Sequence, residues 1–236
     1  MAVRLGGTTL GIEEGARADL HMHSKYSPDS GLDPREMAKL AKAKGLRVLS
    51  LTDHNSIDGH RAMREACKDE GILFIPGVEI TSREGHILCY GSGGLVGTGL
   101  SAAETVEAIH VMGGIASAAH PERVYTGLSV EAVRGAKFDA VEAFNSQSAA
   151  AHNAQARKVA EELRLPVTGG SDAHQGYRIS MGYLAMEQEP SSLDEALDLI
   201  LKGKNQAGGH RPSFSMVLRR SVGTAAHWVL RGGRKI

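Results

Sequence analysis

Residues 46–59 read LRVLSLTDHNSIDG, a segment in which an apolar run passes directly into a cluster of polar side chains. The first part has the composition of a buried strand, and a helical pattern follows from Ser56 to Glu70. Asp53, His54 and Asn55 therefore lie where a strand gives way to a helix, which is where barrels and open α/β sheets place their chemistry. The competing interpretation is a plain turn, because Asp and Asn are favoured in turns and helix caps.

The same order of strand and helix recurs along the chain. Strands are predicted at residues 18–22, 46–52, 72–80, 86–90, 114–119, 138–143 and 166–169. Helices are predicted at residues 33–44, 56–70, 102–112, 149–163 and 192–201. Asp33 as N-cap and Pro34 at the first helical position mark the start of the first helix. Because parallel strands need crossover helices, the alternation predicts an α/β protein with a parallel sheet or barrel, in which residues 1–236 form one domain.

The composition is that of an ordinary globular protein. The chain has 236 residues, of which 42% are hydrophobic and 23% are charged. No apolar run reaches the roughly 20 residues of a membrane span, and the N-terminus lacks a signal-peptide pattern, so a cytoplasmic protein is expected. Cys67 and Cys89 form neither a disulfide framework nor a CxxC metal site, and we expect two buried or half-buried thiols.

Charge is distributed unevenly, although the formal net charge is zero. The eight charged residues after Asp198 are all lysine or arginine, so the chain up to Asp198 carries a net charge of −8. Residues from about 204 to 236 form a basic extension, and its segment 213–230 (SFSMVLRRSVGTAAHWVL) has the pattern of an amphipathic helix. This helix either packs on the body through its apolar side, binds an anionic partner such as nucleic acid, or contacts a partner protein.

Histidines and carboxylates occur at the ends of the predicted strands. His21 and His23 close the first strand within ADLHMHSKYSPDS (18–30), and residues two apart share one side of a strand. Glu79 ends the third strand within PGVEI, where a buried carboxylate requires a cation or hydrogen-bond donors. His86 opens the next apolar strand seven residues later, and polar residues follow other predicted strands with His54, His120, Asp172 and His174.

If these strands are parallel, their ends converge on one face and bring the histidines and acids together. The donor atoms are nitrogen and oxygen without thiolate, which suits Zn²⁺, Mn²⁺ or Fe²⁺ rather than a cysteine-rich structural zinc site. There are too many donors for one ion, and a carboxylate such as Glu79 can bridge two ions. The sequence therefore predicts a site for two or three divalent metal ions.

The motifs that carry these residues resemble a known family. DLHMHS, LTDHN, PGVEI, AHP and GSDAH occur in the order seen in PHP-domain (polymerase and histidinol phosphatase) metal-dependent phosphoesterases. The resemblance extends from about residue 18 to residue 185, which is most of the chain. It implies a distorted (β/α)7 barrel with a metal cluster, commonly trinuclear, at the C-terminal ends of the strands.

The resemblance also implies how the ligands are shared. The first ion would be bound by His21, His23, Asp172 and the bridging Glu79. The second would be bound by His86, His120 and Glu79. The third would be bound by His54, His174 and Asp29, which lies in the loop after the first motif. Asp53 is expected to orient a ligand histidine or to cap the following helix rather than to bind metal.

Phosphate ester hydrolysis by a metal-bridging hydroxide is the chemistry expected of such a cluster, because clustered ions acidify bound water and neutralise phosphate oxygens. Asp172 is predicted to position or deprotonate that water. His174, or a metal-bound water in its place, is predicted to stabilise or protonate the leaving oxygen. Arg123 and Arg178 are predicted to bind the phosphate, and the alternative for each is a solvated loop arginine.

The favoured function is that of a metal-dependent phosphoesterase acting on a small phosphorylated metabolite, a nucleotide or a short oligonucleotide. Protein phosphotyrosine is an alternative substrate, since some relatives of the family use it. A different class of function is a nucleic-acid-binding or scaffold protein with a structural metal site, which the basic extension favours and the full ligand set disfavours. Amide hydrolysis on a related barrel would need a carboxylated lysine at a strand end, and no motif contains a lysine.

Overall fold

The computed structural model of the protein describes residues 15–211. The strands within this part of the chain are β1 (Arg17–Asp19), β2 (Val48–Leu51), β3 (Leu73–Thr81), β4 (His86–Tyr90), β5 (Ile115–Ala118), β6 (Ala140–Asn145), β7 (Val167–Gly170), β8 (Gly182–Ala185) and β9 (Gln206–Gly209). The α-helices are α1 (Pro34–Ala43), α2 (His60–Glu70), α3 (Ala102–Val111), α4 (Val130–Gly135), α5 (Ala150–Leu163) and α6 (Leu193–Leu201). The predicted helix at 213–230 lies outside the described residues.

The strands form one sheet in the order β7-β6-β5-β4-β3-β2-β1-β8-β9. The sheet curls until the chain after β1 meets β7 and the residues that follow it. The Leu20 N–H donates to the Gly169 carbonyl at 3.3 Å, and the Asp172 N–H donates to the His21 carbonyl at 2.7 Å. These bonds make the sheet a nearly closed, distorted α/β barrel, and the predicted fold class is confirmed.

The expectation of a wholly parallel sheet is wrong at β4. β1, β2 and β3 pair in parallel, as do β5, β6 and β7, but β4 runs antiparallel to both of its neighbours. Only residues 82–85 connect β3 to β4, and a parallel connection would need a crossover of a dozen or more residues. Because β4 is reversed, its first residue, His86, lies at the rim where the parallel strands end.

The helix ends mostly follow capping residues in the sequence. Asp33 caps α1 by accepting a hydrogen bond from the Arg35 N–H at 2.9 Å, as predicted. The predicted helix at 56–70 begins instead at His60, and its N-cap is Gly59. Asp53 therefore does not cap this helix, and that part of the prediction for Asp53 is wrong.

Three elements were not predicted: α4, β8 and β9. β9 has the sequence QAGG, which lacks the β-branched and aromatic residues enriched in strands. It pairs antiparallel with β8, which in turn pairs antiparallel with β1. Backbone pairing to an available edge, rather than side-chain propensity, forms this part of the sheet.

The barrel interior changes from apolar at one end to polar at the other. At the lower end Val48 and Ile75 lie in a buried apolar cluster, and α6 covers the opening with Leu199 and Ile200. Further toward the C-terminal ends of the parallel strands the inward positions are small or polar: Ser50, Gly77, Ser117 and Thr168. Polar side chains beyond this layer therefore lie at the rim opposite α6.

Two expectations from composition concern the thiols and the membrane. Cys67 and Cys89 are both buried, as predicted, and burial raises the pKa of each thiol to about 12. Among the described residues, no helix is both long enough and apolar enough to cross a membrane.

Candidate metal centre

The nine side chains implied as metal ligands lie together at the polar rim of the barrel. Glu79 and His86 lie on β3 and β4. The other seven lie in the loops that follow β1, β2, β5 and β7. The sheet topology therefore brings together residues that are up to about 150 positions apart in the sequence, because the parallel strands end, and the reversed β4 begins, at the same rim.

Glu79 is the centre of this arrangement. Its side chain is buried, and its carboxylate is surrounded by imidazole nitrogens. The contacts are Oε2 to His21 Nε2 at 3.1 Å, His23 Nε2 at 3.1 Å and His54 Nδ1 at 3.3 Å, and Oε1 to His86 Nδ1 at 2.7 Å and His120 Nε2 at 2.9 Å. One carboxylate thus touches five of the six predicted histidines, which is the geometry that a bridging ligand needs.

Asp172 and Asp29 connect the sixth histidine to the cluster. Asp172 Oδ1 lies 3.4 Å from His23 Nε2 and 3.5 Å from His174 Nδ1. Asp29 Oδ2 lies 2.8 Å from His174 Nε2 and 3.3 Å from His54 Nε2. Asp29, in the loop after β1, therefore does reach the two histidines with which the resemblance groups it.

Four groups of side chains have one ligand atom each within 4.8 Å of the others. They are His21, His23 and Asp172; His21, Glu79 and His120; His54, Glu79 and His86; and His23, Asp29, His54 and His174. The first and last groups correspond to the implied first and third sites. The middle groups place His86 and His120 in separate groups, whereas the implied second site holds both, and both histidines contact the same oxygen of Glu79, Oε1.

The donor set fits divalent metal ions. His23 Nε2 is buried and makes no hydrogen bond with any described residue, although it lies 3.1 Å from Glu79 Oε2 and 3.4 Å from Asp172 Oδ1. Glu79, Asp172 and Glu142 are three buried carboxylates in one cluster, and buried carboxylates need cations or strong donors. An unsatisfied imidazole nitrogen aimed at two carboxylates is the arrangement that a shared cation would complete.

The carboxylates and imidazoles of the cluster shift one another's pKa values. Burial raises the pKa of Glu79, but the surrounding histidines, led by His21, outweigh burial and hold this pKa well below its usual range. Burial lowers the pKa of His23, but the carboxylates of Asp172 and Glu79 outweigh it and raise this pKa to about 9. Metal ions that bind these nitrogens must therefore displace protons from them.

Two residues of the cluster have unusual backbone conformations. His120 and Asp172 have φ angles of 28° and 52°, in the left-handed region that normally favours glycine. Such a conformation costs a non-glycine residue about 1–3 kcal/mol and persists where its surroundings impose it. The His21 carbonyl holds the Asp172 N–H at 2.7 Å, and Glu142 Oε2 holds the His120 N–H at 2.8 Å.

Glu142 is a site residue that sequence reasoning missed. It lies on β6, its Oε1 is 2.9 Å from His21 Nδ1, and its side chain is buried. Asn145, also on β6, donates from Nδ2 to Glu142 Oε2 at 3.1 Å. The signal for Glu142 was an acid within the apolar segment FDAVEA, which is the same signal that identified Glu79.

Asp53 forms hydrogen bonds with Ser24, the residue next to a predicted ligand. It accepts hydrogen bonds from the Ser24 N–H at 2.6 Å and the Ser24 hydroxyl at 2.7 Å. Ser24 directly follows His23, so Asp53 fixes the backbone at this histidine. Burial is the main cause that raises the pKa of Asp53.

The two predicted phosphate-binding arginines have different surroundings. Arg123 Nη1 lies 2.5 Å from Asp172 Oδ2, and its side chain is 31% exposed. Arg178 is buried and donates to the Tyr177 hydroxyl and to Gln147 Oε1. Gln147 in turn donates to the Asp172 carbonyl, so both arginines are connected to the same aspartate. The alternative of a solvated loop arginine does not hold for Arg178.

Comparison with known families agrees with this geometry. The family model of the PHP domain matches residues 19–203, which is most of the chain. The protein belongs to the PHP-domain family. The resemblance inferred from the five sequence motifs is therefore confirmed.

Individual relatives match over different lengths. An uncharacterized protein from Methanocaldococcus jannaschii is 35% identical over 159 residues, which cover 62% of this chain and 93% of that protein. The 3′,5′-nucleoside bisphosphate phosphatase of Chromobacterium violaceum is 36% identical over 89 residues, which cover 38% of this chain and 30% of that enzyme. The aligned region thus spans less than a third of the phosphatase.

A solved structure shows the same fold. It is a two-domain protein from Bacteroides vulgatus that contains a predicted PHP-like metal-dependent phosphoesterase, and it superposes with a TM-score of 0.67 at 20% identity. The match covers 83% of this chain and 65% of that one, which is just under two thirds of the larger protein.

Proposed function

We propose that the protein is a metal-dependent phosphoesterase that hydrolyses a phosphate ester of a small metabolite, a nucleotide or a short oligonucleotide. The observation that carries this proposal is the environment of Glu79, a buried carboxylate in contact with five imidazoles at the open rim of the barrel. A purely structural metal site would need only about four protein ligands to complete the coordination of its ion, and this cluster has more.

The proposed ligands would hold two or three ions of Zn²⁺, Mn²⁺ or Fe²⁺. The geometry favours one ion among His21, His23 and Asp172, and another between Asp29, His54 and His174. Glu79 lies between these groups and would be shared. When bound, such ions lower the pKa of a coordinated water and neutralise negative charge on phosphate oxygens.

Asp172 and His174 are the proposed catalytic residues. Asp172 is held from both sides, because Oδ1 faces the imidazoles while Oδ2 binds Arg123. A carboxylate fixed in this way can orient the attacking water and accept its proton. His174 Nδ1 lies 3.0 Å from the Asp172 carbonyl, to which it donates, so Nε2 faces the rim beside Asp29. This nitrogen is placed to hold an ion that would stabilise the leaving oxygen or, when protonated and not bound to metal, to give that oxygen a proton.

Arg123 and Arg178 are the proposed phosphate-binding residues. Arg123 uses one nitrogen for Asp172 and leaves further N–H donors at the rim. Arg178 is buried with neutral partners, and none of the described carboxylates lies within 4.0 Å of it. A buried guanidinium without a counter-ion is suited to an anionic group of the substrate.

Exposed aromatic rings favour a substrate that carries a planar base. Tyr26, Tyr125 and Tyr177 lie in the loops after β1, β5 and β7, which also hold the metal-binding residues, and they are 38%, 101% and 42% exposed. Tyrosine rings at such positions can stack on nucleobases. Together with the bisphosphate phosphatase relative, they support a nucleotide or short oligonucleotide over a substrate without a base.

The proposal is tested by a panel of phosphorylated metabolites, nucleotides and short 5′-phosphorylated oligonucleotides, assayed with Mn²⁺ and with Zn²⁺. We expect turnover of at least one class, and we expect Glu79→Gln and His21→Ala to abolish it while the fold is retained. His110→Gln is the matched control, since His110 pairs with Asp139 away from the site and its loss should leave activity unchanged. Full activity of Glu79→Gln would contradict the proposal.

A further inference from the structure

β6 carries none of the nine implied ligands, yet two of its side chains reach into the site. Its pairing with β7 shifts register between Glu142 and Phe144, so that Ala143 is an additional residue on β6. On a regular strand, residues three apart point to opposite faces of the sheet. A bulge of one residue brings them to the same face, and here it places Glu142 and Asn145 together on the side of the metal centre.

Glu142 contacts two of the implied ligands at once. Its Oε1 lies 2.9 Å from His21 Nδ1, so the Nδ1–H of His21 is used here and Nε2 remains free for metal. Its Oε2 accepts the backbone N–H of His120 at 2.8 Å. His120 is the residue with a φ angle of 28°, and this bond helps to hold it there.

Asn145 extends the same network to a third implied ligand. Its Nδ2 lies 3.1 Å from Glu142 Oε2 and 3.3 Å from Asp172 Oδ2. The residue is itself fixed by α5, because Asn153 accepts the Asn145 N–H at 3.1 Å and donates to the Asn145 carbonyl at 3.0 Å. Asn145 therefore presents its amide donors to two carboxylates from a rigid backbone.

We infer that Glu142 and Asn145 are positioning residues of the metal centre, delivered to it by the bulge at Ala143. They fix His21, His120 and Asp172, which come from three different loops, in the orientation that binds metal. The inference rests on the proposed function, because it assumes that these three residues are ligands. Loss of such supporting partners lowers metal affinity by about 10- to 100-fold in other metal sites.

The test is the dissociation constant for Zn²⁺ and for Mn²⁺, measured on the full chain by competition with a chromophoric chelator at fixed pH. We expect Glu142→Gln and Asn145→Ala to weaken binding by about 10- to 100-fold. Glu142→Ala should weaken binding more than Glu142→Gln, because the Gln amide oxygen still accepts from His21. Excess metal should restore the turnover of Glu142→Gln.

Asp139→Asn is the matched control, because Asp139 directly precedes β6 and accepts from His110 Nε2 and the Ala116 N–H, both at 2.8 Å. It should lower thermal stability without changing the metal dissociation constant. Unchanged affinity in folded Glu142→Gln, with a wild type that binds metal, would overturn the inference and leave the proposed function intact. A wild type that binds no divalent metal would overturn both. If Glu142→Ala fails to fold, the nearly isosteric Glu142→Gln decides the outcome.

Discussion

Asp172 combines two features that each cost free energy in a protein interior. Its carboxylate is buried, and its backbone adopts a left-handed conformation. Burial raises the pKa of this carboxyl, but His21, His23 and Arg123 outweigh burial and hold the pKa well below its usual range. The residue is thus kept ionised in a place where folding alone would favour an apolar side chain or glycine.

Arg123 is the partner of Asp172 at the open side of the site. We expect Arg123→Gln to reduce kcat/KM by about 10- to 100-fold, which corresponds to the loss of one or two charge-assisted hydrogen bonds. Most of the loss should appear in KM if the arginine binds phosphate in the ground state. Arg134→Gln is the control, because Arg134 pairs with the exposed Glu162 on the outside of the barrel. Equal kinetics for the wild type and Arg123→Gln would contradict this role.

Cys67 and Cys89 provide a prediction that does not involve the metal centre. Burial raises the pKa of each thiol to about 12, so the reactive thiolate is almost absent at neutral pH. We expect both thiols of the native protein to resist iodoacetamide at pH 7.5 and to react fully after unfolding in guanidinium. Rapid labelling of the native protein, followed by mass spectrometry, would show that the thiols are accessible.

At the level of elements, α6 closes the end of the barrel opposite the metal centre. Ile200 is fully buried against the barrel interior, whereas its neighbour Leu201 is 43% exposed. We expect Ile200→Ala to lower the free energy of unfolding by about 2–5 kcal/mol, because it leaves a cavity. Leu201→Ala should change it by less than about 0.5 kcal/mol. Urea unfolding of the two variants measures the difference, and equal losses would show that α6 does not pack as described.

Particular elements show what the sequence predicts and what it does not. Glu79 was identified because a carboxylate in an apolar strand needs a partner, and that argument depends only on local sequence. The role of Asn145 was not predictable in this way, because the face of the sheet on which its side chain lies depends on a bulge in the pairing of β6 with β7. His86 was expected among the ligands although β4 was expected to be parallel, because the family resemblance, and not the direction of its strand, assigned it to the second ion.

For the whole molecule, bound metal should contribute directly to stability. Ligands drawn from six strands and their loops come together only in the folded state, so metal favours that state by mass action. At a free metal concentration 100 times the dissociation constant, one site adds about 2.7 kcal/mol. We expect the Tm to rise when Mn²⁺ or Zn²⁺ is added and to fall when a chelator removes it. A Tm that does not respond to either treatment would contradict a metal centre.

The basic extension remains a prediction, because the segment 213–230 lies outside the described residues. The barrel and all nine implied ligands lie within residues 15–211. We therefore expect a chain truncated after Arg211 to retain metal binding. If it folds and binds metal but loses affinity for a single-stranded oligonucleotide, the extension contacts nucleic acid. Loss of folding would instead show that the extension packs on the barrel.

Glu79 and the histidines around it are proposed to bind a cluster of divalent ions. Native mass spectrometry of the intact chain, loaded with Zn²⁺ or Mn²⁺ and desalted, counts these ions directly. We expect two or three ions for the wild type, and fewer for Glu79→Gln, because the shared ligand is lost. A wild type with fewer than two ions, or a Glu79→Gln variant with an unchanged number, would contradict it.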